Sequence, residues 1–397
     1  MDQRERETAV QVGDRELENA RAAAVRALLA GIEQEVFPGA SAAIGWRGKH
    51  VLAQAGRLTY DAQAAAVGPR TIYDCASLTK PVATTTMAMM LADRGWLRLD
   101  AAVADYLPDT LDADDPLADE RGRITVRHLL AHTSGLPTYA KFYLRARRPE
   151  HVLAEAMSLA LESKPGARTV YSDVGFILLA ELLRRAVARA MAGGGTQPPA
   201  SLDGFCAREI FAPLGMSSTM FNPPLELKPE IAPTEQDDAF RHRLVQGEVH
   251  DENAWVMGGV AGHAGLFSTA QDMAAFCQMM LQEGMWNGAR MVRAETVREF
   301  TRSQASLSAA PVAGAAPRAL GWDKPSAPSS SGKYFSPAAY GHLGFTGTSL
   351  WIDPEKQLFV VLLTNRVHPT RDNEAIKQFR PAFHDAILEA LGFTVGR

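Results

Sequence analysis

The sequence predicts a mixed α/β fold in which strands from both ends of the chain build one sheet and helices fill the middle. Three observations carry this. Residues 40–46 and 50–56 are short apolar runs around Arg47-Gly48-Lys49, and 345–352 and 357–364 flank Asp353-Pro354-Glu355-Lys356. Two such runs about a turn-forming segment read as a hairpin. Between the two pairs, from Ser77 to about Glu248, apolar residues recur mostly at helical spacing, broken by Pro- and Gly-rich connections.

Taken in order, the chain opens with a charged stretch, Met1 to Glu18, and then a helix over residues 16–35 that ends before Phe37-Pro38-Gly39. Arg21 and Arg26 interrupt its Ala-rich part, which makes it amphipathic and unlike the apolar core of a signal peptide. After the hairpin about Arg47-Gly48-Lys49, strand-like Thr71-Ile72-Tyr73-Asp74 runs into a helix carrying Val82, Thr86, Met89 and Met90 on one face. Pro81 is tolerated only in a first turn, which fixes that helix start close to Ser77, and Gly95 is placed to cap its end. A further helical run covers residues 174–183. Residues 260–267 read as a strand feeding a helix capped in Ser268-Thr269. A last helix is expected from Arg380 to Leu391, with Pro381 in its first turn. Ala192 to Leu202 and Ser303 to Pro337 are low-complexity connections, and no internal repeat occurs.

Composition narrows the function classes. The 397 residues, 46% hydrophobic, are enough for one large two-lobed domain or two ordinary ones. A net charge of −4 without a long basic run argues against a nucleic-acid surface. No apolar run approaches the length that spans a membrane. Three widely spaced cysteines, Cys75, Cys206 and Cys277, make a disulfide framework improbable. The expectation is a cytoplasmic enzyme whose oligomeric state has no signal in the sequence.

Its chemistry is expected at Ser77-Leu78-Thr79-Lys80. A hydroxyl needs an adjacent base to act as a nucleophile, and three residues along a helix puts Ser77 and Lys80 on one face. A lysine desolvated there has its pKa pushed toward the neutral form that a base requires. Ser330-Ser331-Gly332-Lys333 has the same spacing but lies in a Ser/Pro/Gly stretch without helical period, so Ser77 is preferred. Tyr171-Ser172-Asp173 follows the turn Lys164-Pro165-Gly166 and opens a helical run. A phenol at that corner can share a proton with Ser77 and Lys80, and a nearby cation lowers its pKa. His342-Leu343-Gly344 precedes the second hairpin, whose edge can offer the Phe345 N–H, with that of Ser77, to a developing oxyanion. Plainer readings exist for each: a capping serine, a packed tyrosine, a core hairpin.

Together, and in this order, Ser-x-x-Lys, Tyr-x-Asp and His-x-Gly resemble the serine β-lactamase and penicillin-binding-protein superfamily, particularly class C β-lactamases, D-alanyl-D-alanine carboxypeptidases and their esterase relatives. Residues 127–137 and 258–269 resemble two further segments of that superfamily, so the likeness spans roughly residues 25 to 390. It implies a single catalytic domain over 1–397, with residues 20–76 and 255–397 forming an α/β lobe. An antiparallel sheet in that lobe is flanked by the terminal helices, a helical lobe over 77–254 is inserted, and the cleft lies between. It also implies Ser77 as acylated nucleophile, Lys80 as its base, Tyr171 as proton shuttle, the Ser77 and Phe345 amides as oxyanion donors, and Asp173, His342 and Gly344 along the cleft. No metal or cofactor is implied.

Three positions depart from the superfamily pattern. Asp173 stands for the usual asparagine, exchanging an amide donor for a carboxylate that only accepts. His342 and Leu343 stand for lysine and threonine, removing a permanent cation and a hydroxyl that ordinarily hold a substrate carboxylate. An uncharged ester, or an amide lacking a terminal carboxylate, suits such a cleft better than a β-lactam. A second His-x-Gly, His263-Ala264-Gly265, ranks behind His342 as the third motif, with His263 kept as a cleft residue. His128 and His132 are read as capping or core residues, His250 to Asn253 as a solvated loop with cleft lining as the alternative, and Cys75 as a buried small hydrophobe. The leading function is ester or amide hydrolysis through a Ser77 acyl-enzyme. A muropeptide amidase, taking a peptidoglycan-derived substrate, and a β-lactamase or carboxypeptidase are the alternatives. A catalytically silent protein that binds peptidoglycan fragments or β-lactams is the reading from another class.

Overall fold

The computed structural model describes residues 3–110, 118–192, 201–304 and 317–394. Its main sheet has five antiparallel strands in the order Tyr340–Leu343, Ser349–Asp353, Leu358–Thr364, Gly39–Trp46, Lys49–Gly56. The two ends of the chain therefore meet in one sheet, with Ile44 opposite Val360 and Ala42 opposite Leu362. Both faces are covered, which explains why the 358–364 strand is apolar throughout instead of alternating with polar residues. Leu358, Val360 and Leu362 point to one face, against Leu28 of the N-terminal helix Gln3–Glu33 and Phe383 and Ile387 of the C-terminal helix Ile376–Ala390. Phe359, Val361 and Leu363 point to the other, with Met273, Phe276 and Met280 of the helix Ala270–Leu281. Gly45 sits opposite Phe359, and a Cβ there would lie 2.0 Å from its ring. The aromatic side chain occupies the space that the glycine leaves.

Several sequence expectations are redrawn. The second hairpin is the last two strands of a three-stranded unit, because Tyr340–Leu343 is itself a strand and His342 lies inside it, opposite Leu350. Residues 345–348 form a turn, so the next strand begins only at Ser349. The 260–267 strand shrinks to Leu266–Ser268, preceded by loop with Gly258, Gly259 and Gly265 at positive φ. This short strand pairs with Tyr73–Asp74 and Met220–Phe221 in a second, small sheet. Thr269 caps the following helix, accepting a hydrogen bond from Asp272 N.

The C-terminal helix starts four residues earlier than expected, which leaves Pro381 in its interior. Only one N–H is lost there, and the first turn is closed instead by Lys377, Gln378 and Phe379 bonding back to Glu374 and Ala375. Most of Ala192 to Leu202 and part of Ser303 to Pro337 lie outside the described residues. Among the described residues, no helix is long and apolar enough to cross a membrane.

Candidate active site

The segment carrying Ser77 is built in three unlike turns. Ala76–Leu78 is 3₁₀, Lys80–Thr85 is a π turn, and only Thr86–Asp93 is α-helical, with Gly95 at φ +71° just beyond its end. The sequence predicted a plain α-helix. Residues three apart eclipse one another in a 3₁₀ turn, so Ser77 and Lys80 still meet. Ala76, immediately before the serine, adopts φ +46°, a conformation costly for a residue with a Cβ. Asp74 holds the bend: its Oδ1 accepts from Ala76 N at 2.7 Å and its Oδ2 from His250 N at 2.7 Å.

Lys80 is wholly buried and its Nζ is ringed by oxygens. Ser77 Oγ lies 2.9 Å away, the Tyr171 hydroxyl 2.5 Å, the His263 carbonyl 3.2 Å and Asp173 Oδ1 2.7 Å. An ammonium has three protons for these four neighbours. Asp173 Oδ1, at 2.7 Å, is the one charged neighbour and forms an ion pair with Nζ. Burial lowers the Lys80 pKa, and the Asp173 carboxylate works against it without reversing the direction. The Tyr171 hydroxyl closes the triangle, donating to Ser77 Oγ at 2.8 Å.

The phenol does not behave as the sequence led us to expect. A neighbouring cation was expected to lower its pKa, but burial, reinforced by Asp173, pushes it well above the usual tyrosine value. Tyr171 therefore rests as a neutral phenol, while burial draws Lys80 toward its neutral form. Ser172 sets this corner by capping the helix Asp173–Met191 through Gly175 N, while its own N–H donates to His132 Nδ1 at 3.0 Å. The His132 ring lies 4.8 Å from that of Tyr171, and burial holds its pKa well below the usual histidine value.

Opposite Ser77 stands the 344–348 turn, tied to the serine's approach by two hydroxyls. Thr346 Oγ1 donates to the Asp74 carbonyl at 2.8 Å and Thr348 Oγ1 to that of Cys75 at 3.0 Å. The Phe345 N–H enters no backbone hydrogen bond among the described residues. Ser77, second in its 3₁₀ turn, has an N–H without an intrahelical partner. His342 is buried beside Tyr171, with ring centroids 6.0 Å apart. Burial takes its pKa down to about 4, and its Nδ1 pairs with the Leu343 carbonyl, leaving Nε2 unpartnered. It is a neutral imidazole at pH 7.

The cleft encloses about 660 Å³, and its lining includes Ser77, Tyr171, Asp173, His342, Gly344 and Phe345. A larger groove of about 870 Å³ along the helix Pro149–Ser158 contains none of these residues. The candidates named from sequence thus line one cleft, apart from Lys80, which is buried against Ser77 and Tyr171. One reading changes, and one is met. His250, Glu252 and Asn253 are buried, and the first two line the cleft; they do not form a solvated loop. His263 also lines it, its Nε2 paired with Asp251 Oδ1 at 2.9 Å. His128 and His132 do cap and pack, Cys75 is buried, and Ser330 to Lys333 form no helix.

The Beta-lactamase family model matches residues 21–382. The chain belongs to the β-lactamase family. An N-acetylmuramyl-L-alanine amidase of Bacillus subtilis is 34% identical over 329 residues, covering 77% of this chain and 70% of that protein. Two solved structures share the fold. A class C β-lactamase from Rhodobacter sphaeroides has a TM-score of 0.67 at 21% identity, over 93% of this chain and 99% of that one. A penicillin-binding-protein homologue from Pyrococcus abyssi has 0.68 at 22% identity, over 92% and 76%. As a member of the β-lactamase family the chain is a serine hydrolase of metal-independent chemistry.

Sequence reasoning missed the arginines of this β-lactamase-family cleft. Arg366 and Arg380 are both buried, and both line it. Arg380 had a legible signal: Ile376, Arg380, Phe383 and Ile387 share one helical face, so a cation sits in an apolar stripe.

Proposed function

We propose that the protein hydrolyses an amide or ester through an acyl-enzyme on Ser77, and that its natural substrate is an N-acetylmuramyl-peptide amide. The reading is carried by Lys80 Nζ, which is fully buried and stands at once 2.9 Å from Ser77 Oγ and 2.5 Å from the Tyr171 hydroxyl. Neutral Lys80 takes the Ser77 proton as Oγ attacks the carbonyl carbon. The negative charge that builds on the carbonyl oxygen is received by the N–H groups of Ser77 and Phe345. Tyr171 passes its proton to the departing nitrogen or oxygen and is recharged from Lys80. Water then attacks the acyl carbon, and Ser77 Oγ leaves with a proton returned along the same path.

Two observations support a muramyl-peptide amide. The B. subtilis amidase is 34% identical over 329 residues. His342, neutral at pH 7, offers no fixed cation at the position where the superfamily ordinarily uses one for a β-lactam carboxylate. Simple esters are expected to turn over as well, since they make the least demand on the leaving-group step. The cytoplasmic location expected from sequence remains part of this proposal, as does the division into an α/β lobe (20–76 and 255–397) and a helical lobe (77–254).

The test combines a fluorophosphonate adduct, read by intact-protein mass, with turnover of N-acetylmuramyl-L-alanyl peptide, an aryl acetate and a chromogenic cephalosporin. Wild type should give one adduct that Ser77→Ala lacks, and should cleave the muramyl amide faster than the cephalosporin. Labelling without muramyl-amide cleavage would retain the hydrolase and reject this substrate. A folded wild type that neither labels nor turns over ester would leave the protein as a binder of such fragments.

A further inference from the structure

The 344–348 turn offers an N–H to the cleft and is held through its carbonyls by a buried cation in the cleft wall. The N–H of Phe345 and the carbonyl of Gly344 are the two ends of one peptide unit. Arg380 Nη2 donates to that carbonyl at 2.6 Å and to the Thr348 carbonyl at 2.8 Å. Gly344 N bonds Thr348 O at 2.7 Å, so the guanidinium spans both ends of the turn. Arg366 repeats the arrangement one peptide further on, its Nε donating to the Phe345 carbonyl at 2.8 Å.

Neither arginine is hydrogen-bonded to a carboxylate, although Glu374 and Glu235 act on Arg366 through their charge. Among the described residues no acidic oxygen lies within ion-pair distance of Arg366 or Arg380. Arg380 is 6% exposed, and its Nε has no partner at all. Burial pulls the pKa of its guanidinium down to about 9, and the charge of Arg366 acts in the same direction. A buried cation without a counter-ion is costly, and a mainchain turn alone does not require one. A charge-assisted hydrogen bond to a carbonyl is about twice as strong as a neutral one. Hydrogen bonds also polarise one another through a shared group, so a donor seated on the C=O strengthens the N–H of the same peptide. The other oxyanion donor is built alike with a weaker partner: the Ala76 carbonyl, joined to the Ser77 N–H, accepts from Thr79 Oγ1 at 2.7 Å.

We propose that Arg380 is a positioning residue of the oxyanion hole. Its guanidinium, seated on the Gly344 carbonyl, fixes and polarises the peptide whose Phe345 N–H receives the oxyanion. The role rests on the Ser77 acyl-enzyme reading, and it is exerted from the C-terminal helix through the Gly344 peptide. It favours the transition state over the bound substrate, because the charge it answers exists only once the carbonyl is attacked.

The experiment compares wild type with Arg380→Lys, Arg380→Gln and Arg380→Ala for aryl-ester turnover and fluorophosphonate labelling rate, each variant first shown to fold by circular dichroism. Arg380→Gln should lose about ten-fold in kcat, a part of the 10²–10³ seen when a whole oxyanion donor is removed, with KM changed by less than about two-fold. Arg380→Lys should fall between it and wild type. Added methylguanidinium should restore part of the activity of Arg380→Ala and leave wild type unaffected. A folded Arg380→Gln that labels and turns over like wild type overturns the proposal while the Ser77 reading stands. So does a loss confined to KM, or a loss in Arg380→Ala that methylguanidinium does not relieve. Wild type that neither labels nor turns over ester overturns both.

Discussion

Asp173 Oδ1 lies 2.7 Å from Lys80 Nζ, and Lys80 is entirely removed from water. The two residues set opposing demands on the proposed base. Burial draws the amine toward its neutral form, while the carboxylate favours its protonated form. Where the superfamily usually has an asparagine, this chain has a charge that retunes the lysine.

Asp173→Asn is therefore expected to move the acid limb of the kcat/KM profile to lower pH. Removing the carboxylate leaves burial unopposed, the Lys80 pKa falls further, and the neutral base persists in more acidic solution. A pH–rate profile on an aryl ester reads this directly. An acid limb that stays in place, or moves to higher pH, would mean that Lys80 is not the group being titrated.

Lys80→Ala is expected to lower the rate of Ser77 acylation by roughly 10²–10⁴-fold, the usual contribution of a positioned base. The substitution also strands Asp173 beside the raised-pKa phenol of Tyr171, so the variant should melt below wild type. Stopped-flow labelling together with thermal unfolding separates the two effects. Acylation within a few-fold of wild type would transfer the base role elsewhere in the cleft.

The site was legible in sequence wherever chemistry depends on short spacing. Ser77 and Lys80 meet whether their turn is α or 3₁₀, because residues three apart share a face in either, so the mistaken helix type did no harm. The two sheet pairs were legible because both faces of the 358–364 strand are buried, giving an unbroken apolar run. What stayed hidden depends on long-range burial. His250 to Asn253 reads as polar loop until Asp74, 176 residues earlier, accepts from His250 N. The direction of the Tyr171 shift was misjudged for the same reason: spacing reports the nearby cation and says nothing of the desolvation that outweighs it.

Stability should fall in acid through His342. Burial depresses its pKa to about 4, against about 6.5 in the unfolded chain. Between those values the unfolded chain takes up a proton that the native state refuses, so stability is complete above about pH 6.5 and declines as pH falls toward 4. The shift corresponds to roughly 3 kcal/mol at its full extent. His384, buried with its pKa down to about 3, adds to the decline in the same direction. Urea unfolding from pH 7 to 4 should show a shallower decline in His342→Gln than in wild type. Identical slopes would place the loss of stability elsewhere.

The 344–348 turn leaves no room for a side chain at its first residue. A Cβ on Gly344 would stand 2.6 Å from the Cys75 carbonyl and 2.0 Å from Thr348 Oγ1. The first is backbone, two residues before the nucleophile, and the second is the hydroxyl that ties the turn to that carbonyl at 3.0 Å. Neither can yield without parting the turn from Ser77, which separates the Phe345 N–H from the position its oxyanion would occupy. Gly344→Ala is expected to remain folded, since the clash is confined to one side of the cleft and the sheet register beyond Ser349 is untouched. Its kcat on an aryl ester should drop by about 10²-fold or more, in the range for loss of an oxyanion donor. Fluorophosphonate labelling should slow in parallel, since the tetrahedral phosphoryl adduct uses the same two N–H groups. A folded Gly344→Ala variant with wild-type kcat would show that the Phe345 N–H takes no part in holding the oxyanion.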